Sequence, residues 1–369
     1  MNFDLSKTQK MLQDSARTFF QRECPITKVR EIIDSEDGHD KNLWTGIAEQ
    51  GWTGLTLPEE NDGLALSLVD LAAVSEEMGR ACLPSPFIAS TWAASLIAAS
   101  GNAELKGKLL SNLALGESIA TVAILEEGSN WDSASVHLNA EAGDSGVVLS
   151  GSKKLVLDAV SADTILVIAR QSDELIVAVV DKSAEGLSIS ATAGMDLTRR
   201  YCQIDFDNVA GEVLASGAAA ENALKRSIQT GAIVACADLL GGMEWVLKTT
   251  VEYAKTRLQF GKPIGSYQAV QHQCADMLLM NESARSATYY AAWALNENDP
   301  AGDEAVNIAK AYCSEAARVV GNSGIQIHGG IGFTWEHDLH LYYKRAKSSE
   351  LLFGDPIHHK EQLAELIIA

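Results

Sequence analysis

The chain is 369 residues long and 47% hydrophobic, enough for two or three domains around a substantial core. Its formal charge of −20 excludes nucleic acid and anionic membrane surfaces as partners, because both would repel it. Six cysteines, at 24, 82, 202, 236, 274 and 313, are scattered without a C-x-x-C pair and read as buried thiols in a reducing compartment. The N-terminus lacks a basic region followed by an apolar run, and no uncharged apolar run reaches membrane-spanning length. A soluble, cytoplasmic protein is the expectation.

Ser6 to Gln9 fits a capping box ahead of a helix with Met11, Leu12, Ala16, Phe19 and Phe20 on its apolar face. Asn42 reads as the cap of a second helix that carries Leu43 and Ile47 and stops at Gly51. The stretch from Leu57 to Gly63 reads as a loop before a third helix running through Met78. Helices over 91–100 and 102–115 complete an all-α segment, with Gly101 and Gly116 as stops.

From about Ser118 the period changes. Runs at 119–125, 136–140, 147–149, 154–157, 164–169, 175–180 and 201–206 are short, rich in Val and Ile, and divided by Gly, Asp, Asn and Ser. Cys202, Ile204 and Phe206 alternate with Gln203 and Asp205, as in a half-buried strand. They predict a small antiparallel β domain, a barrel or a sandwich. After Asn208 the helical period returns: 221–256, apolar on most sides; 267–295; a helix ending near Gly321; and a last helix toward Ala369. The fold class is α+β, with an N-terminal helical domain over 1–117, a middle β domain over 118–212 and a C-terminal four-helix bundle over 213–369.

Two loops in that bundle carry chemistry. Glycines 324, 329, 330 and 332 permit positive φ and leave backbone amides open to a phosphate, with Gln326 just ahead of them. Such a loop is either a nucleotide cradle or a tight interhelical turn, and the helix before it rules out a Rossmann motif. Between two earlier helices, Arg257 offers a planar fork to a phosphate, and Phe260 in Phe-Gly-Lys-Pro offers a flat face to an adenine.

Arg257-x-x-Phe260-Gly261-Lys262-Pro263-Ile264 and Gln326-x-His328-Gly329-Gly330-x-Gly332-Phe333 together resemble the FAD-binding signatures of the acyl-CoA dehydrogenase family. The stretches from Gly54 to Glu60 and from Glu76 to Arg80 are similar to its N-terminal domain, so the resemblance spans the whole chain. It implies an FAD-dependent oxidoreductase that converts an acyl-CoA to the 2,3-enoyl-CoA, with electron-transfer flavoprotein as acceptor. It also implies a cofactor site that includes Arg257, Gln259, Phe260, Ile264, Gln268, Gln326, Gly329 and Gly330.

The base that the family needs is missing from its usual places. Phe353, before Gly354, occupies the usual glutamate position, and the alternative position near Gly231 has no acidic residue between Asn222 and Ala237. The ring-side flavin motifs are altered as well: Leu125 to Asp132 and Leu155-Val156-Leu157 stand where relatives carry threonine-containing segments. In the family, FAD lies across a subunit interface, and this sequence keeps the half given to the neighbour. The expectation is therefore a base-less subunit of a heteromeric acyl-CoA dehydrogenase, like those of bacterial steroid side-chain and pimeloyl-CoA degradation, paired with a glutamate-bearing subunit. The alternatives are a homotetramer using Asp355, or less directly Glu350, as base, and a catalytically silent nucleotide- or CoA-binding scaffold. The plainer reading of Asp355 is the N-cap of a helix with Pro356 in its first turn.

The remaining polar residues read more plainly. Glu336, His337, Asp338 and His340 lack a second convergent motif, so they read as a solvated, capped helix start and no metal is expected. His358 and His359 read as a charged, solvent-facing turn, and Lys153 and Lys154 as strand-edge charges. Arg285 either steadies a CoA phosphate or pairs with Glu282.

Overall fold

A computed structural model of the chain describes residues 4–143 and 146–368. Among the described residues six helices come first: α1 (Lys7–Glu23), α2 (Ile26–Ile33), α3 (Lys41–Glu49), α4 (Leu68–Arg80), α5 (Phe87–Ala99) and α6 (Ala103–Ala114). The capping box forms at α1, where Ser6 Oγ accepts from the Gln9 N–H and Gln9 reaches back to the Ser6 N–H. Asp40, rather than Asn42, caps α3, its Oδ1 accepting from the Leu43 N–H at 2.8 Å. Helix α2 escapes sequence reading because Pro25 starts it with no side-chain cap.

Seven strands follow in one sheet: β1 (Ala120–Ala123), β2 (Asn139–Gly143), β3 (Gly146–Leu157), β4 (Thr164–Gln171), β5 (Glu174–Asp181), β6 (Leu187–Thr192) and β7 (Tyr201–Ser216). The order β1-β4-β2-β3-β7-β5 closes into a barrel because β5 pairs back onto β4, and β6 lies on β7. The sheet is mixed rather than purely antiparallel: β1 runs parallel to β4, and β2 meets β4 in parallel at Asn139 and Arg170. Two of the expected runs are one strand, β3, with register shifts near Gly151 and between Lys153 and Val156; such bulges bend a strand and help a sheet curl. Strand β6 carries only Leu187 and Ile189 among exposed serines and threonines, too faint an alternation to read.

The last part comprises α7 (Gly217–Thr256), a hairpin of β8 (Leu258–Gln259) and β9 (Lys262–Pro263), and then α8 (Gln268–Asn296), α9 (Gly302–His328), α10 (Leu339–Leu351) and α11 (Pro356–Ile368). Helix α7 is long and apolar enough to cross a membrane, yet 78% of its most apolar stretch is buried by the rest of the chain. It is the axial core helix. Helix α4 crosses it so closely that a Cβ at Gly79 would come 1.9 Å from the Asp238 carbonyl oxygen, and one at Gly241 would come 1.8 Å from that of Glu76. Only glycine fits either position. Helix α9 continues past Gly321 to His328, which puts Gln326 on the helix. The last helical stretch toward Ala369 is two helices, because Phe353 (φ 61°) and Gly354 (φ 101°) turn left-handed between them, and the second starts at Pro356 as the Asp355-Pro356 pair implies.

Candidate functional site

The two glycine-bearing motifs meet at one end of the bundle. Tyr253, near the end of α7, stacks on His328, the last residue of α9, with ring centroids 4.4 Å apart and planes at 21°. From there the chain leaves α7 through Arg257, whose carbonyl oxygen accepts from the Ile264 N–H at 2.8 Å to close the β8–β9 hairpin. Phe260 and Gly261 form its tip with φ of 52° and 79°, the two positive values that a type I′ turn demands. Glycine takes such a backbone freely, whereas phenylalanine does so at a cost of roughly 1–3 kcal/mol. That strain displays the Phe260 ring at 93% exposure. Arg257, Gln259, Gln268, Gln326, Gly329 and Gly330 are also exposed, while Ile264 is half-buried beneath them. No atom of a neighbouring segment lies within 4 Å of where a Cβ would sit on Gly329 or Gly330. This end of the molecule is open, and it offers a guanidinium, side-chain amides, accessible backbone and an unpaired aromatic face. Those groups fit the phosphates and adenine of a dinucleotide.

About six turns back along α7, at Gly231, the packing is closed. Phe353 is wholly buried, and its ring packs edge-on to Trp92 at 4.9 Å and against Trp131 at 5.2 Å. A Cβ at Gly231 would lie 2.4 Å from Phe353 Cζ. Positions 353 and 231, the two places where a base was expected from the resemblance, are thus a single place here, filled by one phenyl ring. Each aromatic pair contributes about 0.5–1.5 kcal/mol beyond the area it buries, which offsets the left-handed backbone of Phe353. Trp92 Nε1–H donates to Ser227 Oγ at 3.2 Å, and Trp131 Nε1–H to the Leu351 carbonyl at 3.1 Å.

Two buried nitrogens hold the turn that presents Phe353. Lys310 Nζ donates to Ser314 Oγ at 3.0 Å, to the Glu350 carbonyl at 3.2 Å and to the Gly354 carbonyl at 2.9 Å. Burial lowers its pKa to about 8. His359 Nε2 lies 2.9 Å from the Phe353 carbonyl oxygen and Nδ1 lies 2.8 Å from Asn307 Oδ1. Burial, with Lys310 nearby, pulls His359 down to about 3. The reading of His359 as solvent-facing is therefore corrected: its ring is buried under the turn. Asp355 Oδ1 accepts from the His358 N–H at 2.8 Å and so caps α11. Glu350 pairs with Lys347 at 2.7 Å.

Other expectations change in the same way. Lys153 is buried rather than at a strand edge, and donates to Glu126 at 2.6 Å and to the Ile124 carbonyl at 2.8 Å. Arg285 does pair with Glu282, at 3.6 Å, and in addition with Glu76 and with Glu244 at 2.9 Å. Asp338 accepts from Arg30 at 2.7 Å, and His340 is buried with its ring on Trp335, so the start of α10 is not simply solvated. Beneath the site, Asp238 receives Arg345 at 2.6 Å and Arg199 at 2.9 Å. Burial alone would raise Asp238, but the two guanidiniums outweigh it and hold the carboxyl below its usual range.

The residues at the open end fit the phosphates and adenine of the expected FAD. Leu125, Leu155 and Leu157, in the segments expected beside the flavin ring, bring no side-chain donor or acceptor, and Trp131 packs on Phe353. Sequence reasoning located the open end, missed Trp92, Trp131 and Lys310, and misread His359. The one available signal was Trp131, a bulky ring in a segment where relatives carry small polar residues.

Comparison with known proteins agrees with this architecture. Residues 6–117 match the family model for the acyl-CoA dehydrogenase N-terminal domain, and residues 221–368 match that for the C-terminal domain. The chain is 31% identical to the acyl-CoA dehydrogenase IpdE2 of Mycobacterium tuberculosis over 94% of its own length and 93% of the relative's. It superposes on a chain of the Tcur3481-Tcur3483 steroid ACAD with a TM-score of 0.89 at 31% identity, covering 98% of both chains. It superposes on a chain of the ChsE4-ChsE5 complex of Mycobacterium tuberculosis with a TM-score of 0.91 at 25% identity, covering 100% and 99%. The chain therefore belongs to the acyl-CoA dehydrogenase family of FAD-dependent oxidoreductases.

Proposed function

We propose that this chain is the base-less subunit of a heteromeric acyl-CoA dehydrogenase, and that its open end completes an FAD site on a glutamate-bearing partner. The observation that carries this is the Phe353 ring, which fills both the usual base position and the space beside Gly231. Arg257 would hold the pyrophosphate, Phe260 would lie on the adenine, and Gln326 with the Gly329 and Gly330 backbone would hold the remainder of the ADP half. Gln259, Ile264 and Gln268 shape the hairpin and the helix start around it. When bound, FAD supplies the hydride acceptor, and the partner's carboxylate removes the α proton. This chain's residues bind, orient and exclude water. An electron-transfer flavoprotein is the acceptor that family membership supports.

Similarity to a steroid acyl-CoA dehydrogenase supports a bulky acyl-CoA as the substrate class. Asp355 is a poor alternative base, because its carboxylate is engaged as a cap on the far side of the Phe353 turn. The test is flavin reduction by acyl-CoA with the chain alone, with a glutamate-bearing partner, and with the two together. Bleaching of flavin absorbance only in the mixture is the expected result; turnover by the chain alone would overturn the proposal.

A further inference from the structure

A cleft of about 530 Å³ opens between α7, α9, α11 and the loop after β1. That is the size of a small-molecule site. Three of its wall residues join it to the buried aromatic cluster. Trp131 lines the cleft and packs on Phe353 at 5.2 Å. His359 lines it too, with Nε2 2.9 Å from the Phe353 carbonyl oxygen. Ala232 on the wall adjoins Gly231, whose missing side chain leaves the room that the Phe353 ring takes. The cleft is the outer end of a space whose inner end is closed by three aromatic rings.

We propose that Trp131 and Phe353, backed by Trp92, form a built-in stopper that shuts this chain's own α7 cleft to an acyl thioester. This rests on the function proposed above and extends it: the chain lacks a base and is also closed to substrate on its own side.

Each part of the stopper is anchored separately. The loop that carries Trp131 is bonded to itself, with the Asp132 N–H on Asn130 Oδ1 at 2.8 Å and the Ala134 N–H on Asp132 Oδ1 at 3.0 Å. Its two ends are pinned by Glu126, which accepts from the N–H groups of His137 and Leu138 and pairs with the buried Lys153. Trp131 and Trp92 each spend their one N–H donor on a partner, Leu351 and Ser227. On the other side the carbonyls of Phe353 and Gly354 are held by His359 and Lys310. A ring that had merely drifted into an empty site would not be tied at so many points.

Charge adds a second barrier. The cleft wall carries Asp132, Glu221, Asp303 and Glu365 against Lys225, whose Nζ is already 2.5 Å from Asp303. The cleft is net negative, so the phosphates of CoA are repelled from it, the more strongly at low salt.

The test is isothermal titration of octanoyl-pantetheine, which has no phosphates, and of octanoyl-CoA into the complex of the full chain with its partner. Sites are counted against the same complex carrying Trp131→Ala with Phe353→Ala. The expected result is one additional thioester site per copy of this chain in the double variant. At that new site the CoA ester binds about tenfold or more weaker than the pantetheine ester at low salt, and approaches it as salt rises. Trp131→Phe with Phe353→Leu, which keeps the space filled, gains no site. Should the double alanine variant fail to fold, Trp131→Ala alone, at a half-buried position, carries the test and gains the site. An unchanged site count in a folded alanine variant overturns the stopper. So does a wild-type chain that binds the pantetheine ester on its own side without turning it over. A wild-type chain that both binds and dehydrogenates octanoyl-CoA without a partner overturns the proposed function itself.

Discussion

Replacing Phe353 with alanine and, separately, with glycine tests whether the phenyl ring is held against a strained backbone. Removing a buried phenylalanine costs about 3–5 kcal/mol. The upper half of that range applies here, because contacts to Trp92 and Trp131 are lost together. Elsewhere in a protein the glycine variant would be the weaker of the two, by roughly 0.5–1 kcal/mol. At Phe353 the φ of 61° reverses the order. Alanine keeps the left-handed penalty while glycine sheds about 1 kcal/mol of it. With an unfolding entropy of about 2.1 cal/mol/K per residue, a 369-residue chain loses about 6 °C in Tm as the alanine variant and about 1 °C less as the glycine variant. Scanning calorimetry of the two variants side by side gives the order. An alanine variant more stable than the glycine variant would refute the claim that the turn holds Phe353 in a conformation it disfavours.

Other consequences follow from the same geometry. Arg257→Gln, on an exposed side chain, leaves Tm within about 1 °C but weakens FAD in the complex by roughly 10- to 100-fold, the worth of one charge-assisted bond, as read by flavin fluorescence on titration. Asp238→Ala leaves buried Arg345 without its ion-pair partner, and Arg199 with only Asp196 at 3.6 Å, and destabilises the fold by roughly 3–5 kcal/mol, measured by urea unfolding; a loss under about 1 kcal/mol contradicts the network's role. For His359 the folded pKa of about 3 lies below the ordinary imidazole value of 6.5. Between these values the unfolded chain holds the extra proton, so stability falls as pH drops through that window. His359→Gln should therefore lose less stability than wild type between pH 7 and pH 4.5, and equal slopes would show that the ring is not held neutral.

Much of the fold was legible because helices with caps and wide apolar faces leave strong periodic traces. Ser6 and Gln9, the long apolar α7 and the stripe of α8 are all local patterns. What the sequence hid was non-local. The parallel pairing of β1 with β4 depends on partners more than 40 residues apart, as in Ala120 with Thr164, and nothing in either run distinguishes a parallel from an antiparallel neighbour. The start of α11 was legible in Asp355-Pro356, but the end of α10 was masked because Leu351, Leu352 and Phe353 continue an apolar pattern that a left-handed residue interrupts without changing composition.

The site divides along the same line. Its open end lay in two contiguous motifs, so Arg257, Phe260 and Gln326 were found by reading along the chain. The closed end is assembled from α5, the loop after β1, α7, α9 and the α10–α11 turn, and no spacing rule links Trp92 to Trp131 and Phe353. The absence of a glutamate was visible in the sequence. Only the packing shows that the vacated position is filled and tied down. Buried Lys310, Lys153 and His359 were misjudged or unremarked for a related reason: ionisable side chains are expected at the surface, and each is buried here because backbone carbonyls or a carboxylate meet its donors.

The most direct test of the central claim is the ratio of FAD to protein in this chain produced with a glutamate-bearing partner, set beside the chain produced alone. The account predicts one FAD per pair of unlike chains and little or none on the chain alone. One FAD per chain in a homo-oligomer, or two per unlike pair, would contradict it.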